Sequence, residues 1–129
     1  MDRSLTVVEL QMLARDGLVE IGAHTLTHPQ LSALSREDQQ AEIHRSRVAL
    51  EEITGTGVTS FAYPYGGRSD YTADTVQLVK NAGFSGACAA VPGGVTRATA
   101  RFELPRFHVE DCDGDVFARQ IAAWTTVSG

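Results

Sequence analysis

Cysteine is almost absent from this sequence: Cys88 and Cys112 are the only two in 129 residues. So few exclude a disulfide framework as the source of stability. Positive charge is scarce too. Eleven Lys and Arg stand against sixteen Asp and Glu, a formal charge of −5, and no basic patch is present. That excludes a nucleic-acid partner, which needs a basic face to neutralise phosphate. No apolar run reaches the roughly eighteen residues of a membrane span. The opening Met1-Asp2-Arg3-Ser4 leads into a helix-like pattern rather than an apolar export segment. The chain as given therefore carries no signal and reads as cytoplasmic.

What is present suits a soluble globular domain. The apolar fraction is 43% and the charged fraction 21%, both ordinary values. A chain this long can bury about two-thirds of its unfolded surface, and one domain over residues 1–129 is expected. Thr6 with Glu9 forms a capping-box pattern, so a helix is expected over 7–16, stopped by Gly17. Residues 18–21 form a short apolar run that reads as a strand. Ser35, with Asp38 in third position, starts a longer helix that Gly55 ends. Ile43, Leu50 and Ile53 give it an apolar stripe, Ala49 lies beside them, and Arg47 faces Glu51 one turn on. A second strand is expected over 58–63, running into a loop at 64–67. A helix over 73–81 follows, with Asp70 and Asp74 favouring its positive end. A small-residue strand over 84–90, in which Cys88 is a buried small hydrophobe, leads to a turn at 92–94. Residues 102–109 read as a fourth strand. Asp113 caps a last helix through 124, with Phe117, Ile121 and Trp124 on one stripe. Alternating helices and strands imply an α/β fold with mostly parallel pairing. In such folds sites gather where strands end and loops begin.

Two segments stand at that position. The first is Glu20-Ile21-Gly22-Ala23-His24-Thr25-Leu26-Thr27-His28-Pro29-Gln30-Leu31. Neutral imidazoles are the commonest ligands of zinc-type ions, and a spacing of four lets His24 and His28 point at one ion. The second is Phe61-Ala62-Tyr63-Pro64-Tyr65-Gly66. Alone, the histidine pair is a weak signal that a solvated pair would also satisfy.

Together the two segments resemble the second and third motifs of the polysaccharide deacetylases, the NodB-homology or carbohydrate esterase 4 group. Asn81-Ala82-Gly83-Phe84 and Leu104-Pro105-Arg106 are similar to later family segments, in the same order. The likeness runs from about Leu5 to Ile121. It implies a distorted (β/α) barrel, here a partial one, that removes acetyl groups from N- or O-acetylated sugars with one divalent metal, usually Zn2+. By resemblance His24 and His28 hold the metal. The Tyr65 amide helps hold the oxyanion, Tyr63, Pro64 and Tyr65 line the substrate groove, and Arg106 orients a catalytic carboxylate. N-acetylated carbohydrate is the implied partner, and the cell envelope or exterior the implied location if a longer precursor exists.

The sequence also departs from the family. A Thr-Phe-Asp-Asp type segment, which supplies the base and the third metal ligand, is absent upstream of His24. The nearest acids there are Glu9, Asp16 and Glu20. Ala62 stands where many members carry arginine. The chain resembles the C-terminal part of a family domain. That implies weak or absent metal binding by two imidazoles alone, and an open barrel edge covered by self-association or by a complementing chain. His108, on the face of Arg106, could serve as an extra ligand or acid, or be a plain strand histidine. His44 reads as solvated, Asp111 as a turn residue, and Cys112 as a loop thiol that could meet a metal. The alternative to a hydrolase is a non-catalytic remnant that acts as an interaction or assembly module.

Overall fold

The structure, a computed structural model, describes residues 4–125. The expectation for Met1 to Arg3 lies outside them. Local capping chemistry sets the helix ends. Thr6 and Glu9 close a reciprocal capping box on α1, Val7–Arg15. The Ser35 hydroxyl accepts from the Asp38 amide at the start of α2, Arg36–Thr54, and Gly55 ends it at φ 69°. That left-handed C-cap suits glycine, which has no Cβ to clash. Thr72, not Asp70, caps α3, Ala73–Asn81, through the Thr75 amide. The Asp113 carboxylate accepts from the Val116 amide at the head of α4, Gly114–Thr125.

The strands are shorter than expected. β1, Ser60–Ala62, pairs in parallel with β2, Gly86–Cys88, with Phe61 opposite Ala87. Ala23 bridges Phe61 on one flank and Leu104 bridges Cys88 on the other, both in parallel. Four chain segments thus lie side by side in sequence order, an open α/β ribbon. No closed barrel forms among the described residues.

The expected strand over 18–21 does not form. The Asp16 side chain accepts from the Leu18 amide at 3.0 Å and curls the chain into a turn, leaving Leu18 91% exposed. The expected strand over 102–109 shrinks to the Leu104 bridge. The Arg106 amide reaches past Ala89 to the Val91 carbonyl at 3.0 Å, and the Ala89 carbonyl is taken by the Arg106 Nε instead. Residues 92–94 run as irregular chain, and Cys88 is half-buried rather than buried.

The core lies between the ribbon and α2 and α3. Leu31, Ile43, Val58, Phe61, Tyr63 and Val79 are each no more than 1% exposed. Each contributes roughly 1.5–3 kcal/mol by burial, which outweighs the propensity of any one segment. Inside this core the Thr75 hydroxyl donates to the Gln39 side-chain oxygen, and Gln39 Nε2 donates to the Leu34 carbonyl. Buried polar atoms on both helices are thereby satisfied. By contrast α1 and α4 bury no residue. α1 is tied to α2 by Gln11 Nε2 donating to the Ile53 carbonyl. Phe107 stacks on Trp124 of α4 at 4.5 Å.

The Asn81-Ala82-Gly83-Phe84 segment is structural. Arg47 of α2, paired with Glu51 at 3.2 Å, lies 5.4 Å from the Phe84 ring centre and donates to the Ala82 carbonyl. Gly83 sits at φ 90°, and a Cβ there would lie 2.3 Å from an Arg47 guanidinium nitrogen. Gly83→Ala is expected to lower stability by about 1–3 kcal/mol through strain and the displaced arginine, read as a lower urea midpoint at unchanged slope.

Candidate active site

Both motif segments leave the ribbon at its carboxyl edge. Ala23 donates to the Ser60 carbonyl and accepts from the Ala62 amide, each at 2.9 Å. His24 follows at once, and its Nδ1 lies 2.7 Å from the Ala62 carbonyl oxygen. A carbonyl can only accept, so Nδ1 carries the proton and Nε2 is the nitrogen free for a ligand.

The chain then curls through two left-handed residues, Thr25 at φ 66° and His28 at φ 59°. The Thr25 hydroxyl donates to the His24 carbonyl and accepts from the His28 amide at 3.1 Å. The curl sets the His24 and His28 rings 4.8 Å apart, edge to face at 61°. Both residues are exposed. From α2, Glu42 Oε2 accepts from the Leu26 amide at 2.8 Å and the Thr27 amide at 3.1 Å, and Oε1 accepts from the Thr27 hydroxyl.

The tyrosine segment forms the facing loop. Tyr63 and Pro64 are fully buried. The Tyr63 ring stacks on Tyr71 at 4.2 Å, and its hydroxyl donates to the Phe102 carbonyl at 2.8 Å. Tyr71 donates to Glu103 at 2.9 Å, and burial together with that carboxylate pushes its hydroxyl up to about 12. Neither Tyr63 nor Pro64 has surface to offer a ligand, so the expected substrate contact narrows to Tyr65, which is 61% exposed.

Tyr65 sits at φ 65° inside a tight turn closed by the Gly66 amide on the Pro64 carbonyl at 2.7 Å. Its own amide has no acceptor among the described residues, so it is free to donate. Its ring lies 4.7 Å from that of His28. Gly66, at φ 76°, lets this turn press on β2's exit. A Cβ there would fall 2.6 Å from the Ala90 nitrogen, which donates to the Gly66 carbonyl.

Thr25, His28 and Tyr65 are the only non-glycine residues with positive φ among those described. Such strain clusters at functional sites, where surrounding structure over-determines it.

The structure therefore brings together His24, His28 and Tyr65. Arg106 makes no hydrogen bond to these three residues, its Nε donating to the Ala89 carbonyl at 2.9 Å. It lines a depression of about 230 Å³ with Ala90, Phe107 and His108. Among the described residues no group of three His, Cys, Asp or Glu could hold a metal, so neither His108 nor Cys112 joins the pair. His44 is solvent-exposed.

Two carboxylates that sequence reasoning missed shape the site. One is Glu42. The other is Asp70, which accepts from Gln30 Nε2 at 3.0 Å and from the Gly67 amide at 2.9 Å, tying the histidine loop to the tyrosine loop. Neither lies in a motif, and apart from Gly67 their partners are remote in sequence.

Comparison with known proteins concerns the family and the fold. A family model described as polysaccharide deacetylase matches residues 6–87. A Bacillus subtilis protein named as a polysaccharide deacetylase, YxkH, is 26% identical over 105 residues, covering 81% of this chain and 36% of its own length. The Streptococcus pyogenes deacetylase PplD, solved with acetate, superposes with a TM-score of 0.76 at 23% identity, covering 82% of this chain and 45% of PplD. IcaB from Ammonifex degensii gives 0.73 at 23%, covering 95% and 53%. The structural likenesses show a shared fold, and the chain spans about a third to a half of these relatives' lengths.

Burial opposes the charge on Glu42, but the Thr27 hydroxyl, the Leu26 and Thr27 amides and nearby Arg45 outweigh it and hold the carboxyl below its ordinary 4.5. A carboxyl lowered by folding stabilises the native state fully above its unfolded pKa, and that contribution is lost as pH falls through the folded value. The thermal midpoint of wild type minus that of Glu42→Gln is therefore expected to be flat above about pH 5 and to shrink below about pH 4.5. Circular dichroism melts across this range check it.

Proposed function

The chain belongs to the polysaccharide deacetylase family, and from that premise we propose that it forms the imidazole-bearing part of a metal-dependent hydrolase acting on N-acetylated carbohydrate. The observation that carries the reading is the His24–His28 pair. Two exposed rings lie side by side, and His24 is fixed through Nδ1 so that Nε2 is left for a ligand. This second-sphere bond to a carbonyl is the arrangement that metal-ligating histidines use.

The two imidazoles fit part of a zinc shell. Their donor type suits it and His24 presents its Nε2, but a catalytic zinc normally takes three protein ligands, and no third stands beside them among the described residues. When bound, such an ion would polarise an acetyl carbonyl and make water acidic enough to attack at neutral pH. The free Tyr65 amide donates to the oxygen that gains charge during attack, and the exposed Tyr65 ring gives the sugar a wall. Tyr63 and Pro64 hold that turn from the core.

Arg106 keeps its terminal guanidinium nitrogens for a carboxylate, which we assign to a second copy of this chain or to a complementing chain. That carboxylate takes the water proton, and an acid returns one to the leaving amine. The exposed apolar residues Leu5, Val8, Met12 and Leu18 on and beside α1 suit such an assembly. The envelope, where acetylated glycans lie, is the location this reading favours. The lack of a third ligand is the one feature that favours a non-catalytic assembly module instead.

Zinc titration and elemental analysis separate the two readings. Wild type is expected to take up one zinc per site, weakly, and His24→Ala and His28→Ala to lose it while keeping their circular dichroism. N-acetylated chito-oligosaccharide is expected to release acetate only when the carboxylate-bearing polypeptide is supplied. A folded wild type that binds no zinc leaves the assembly module standing.

A further inference from the structure

We propose that Glu42 is the positioning residue of the histidine pair: its carboxylate, reaching across from α2, fixes the backbone between His24 and His28 in the shape that sets the two imidazoles side by side. The importance of this for zinc rests on the metal-site reading above, whereas the effect on the rings does not.

The argument begins with what does not hold this loop. Ala23 and Leu31 are fully buried at its two ends, but no residue between them is buried, and Leu26 is 49% exposed. Packing therefore cannot fix the loop's shape. Propensity works against it, since the loop contains two non-glycine left-handed residues and one of them, Thr25, is β-branched. What remains is hydrogen bonding. Thr25 supplies the local part through the His24 carbonyl and the His28 amide.

The part that crosses to the body of the protein at the loop's centre falls on one carboxylate. The Leu26 and Thr27 amides both donate to Glu42 Oε2, and the Thr27 hydroxyl donates to Oε1. Successive amides converging on one anion form a small anion-binding concavity, here filled from within the chain. Glu42 can serve as its anchor because its own backbone is rigid. It lies within α2, beside Ile43, which is 1% exposed. With both oxygens engaged by the loop, Glu42 is not placed to ligate an ion or accept a proton from water. It acts through the histidines.

Zinc alone is titrated into wild type, Glu42→Ala and Glu42→Gln against a chromophoric chelator, with circular dichroism as the check on folding. Glu42→Ala is expected to keep its fold and to bind zinc about 10–100-fold more weakly, the usual effect of removing an outer-sphere partner. Glu42→Gln retains one acceptor oxygen without the charge and is expected to weaken binding by several-fold. A folded Glu42→Ala whose zinc affinity stays within about twofold of wild type overturns the assignment. If Glu42→Ala does not fold, the Gln variant is judged by the same criterion.

If wild type itself takes up no zinc, the metal reading falls, and Glu42 is judged on metal-free protein by nuclear magnetic resonance. Loss of the His24–His28 ring-to-ring contact in the variant supports the assignment. Its persistence overturns it.

Discussion

Two hydrogen bonds at Ala23 set the geometry of the site. They fix the register in which the histidine segment meets β1, donating to Ser60 and accepting from Ala62. His24 is the next residue, and its ring is pinned to the Ala62 carbonyl. A slip of one residue would turn every side chain of the segment to the opposite face. His24 would then point into the core, and Ala23, now 1% exposed, would point out. The same β1 carries Tyr63 and Pro64 at its exit, so a single parallel pairing also fixes the distance between the imidazoles and the Tyr65 turn.

The loops beyond that pairing are strained, and the strain is matched by charge. Three non-glycine residues at positive φ cost about 1–3 kcal/mol each. Hydrogen bonds to charged groups oppose that cost, and Glu42 and Asp70 together accept five from the two loops. The shape of the site thus depends on two anions that stand behind it, while the surface it presents is made of imidazole and phenol. Conformational stress of this kind is tolerated only where the body of the domain is firm, and the buried stack of Tyr63 on Tyr71 beneath the turn provides that firmness.

The helices were legible in the sequence because their ends are local events. Thr6 with Glu9, Ser35 with Asp38, and Gly55 all act within one turn, and each stands where its chemistry predicts. The meeting of His24, His28 and Tyr65 at one edge of the ribbon was legible through their motifs. The edges of the sheet were not. Residues 18–21 and 102–109 have strand-like composition, but pairing is decided outside that composition, by Asp16 curling one segment and by the Arg106 amide reaching past Ala89 to Val91 in the other. Glu42 and Asp70 were equally hidden. Glu42 looks like any surface acid on an amphipathic helix, and Asp70 like a helix-start residue. Their roles exist only once α2 and the two loops are brought together, Asp70 meeting Gln30 across forty positions of chain.

The lone tryptophan, Trp124, is far in function from all of this. It stacks on Phe107 and lies on α4, which buries none of its residues. Indole fluorescence would accordingly report the undocking of that terminal helix. The imidazole loop, with no chromophore but Tyr65 near it, could rearrange completely while the emission spectrum stayed still. A melting curve read from indole emission would describe the protein's periphery, and the two rings at the ribbon's edge would have to be watched by a probe of their own.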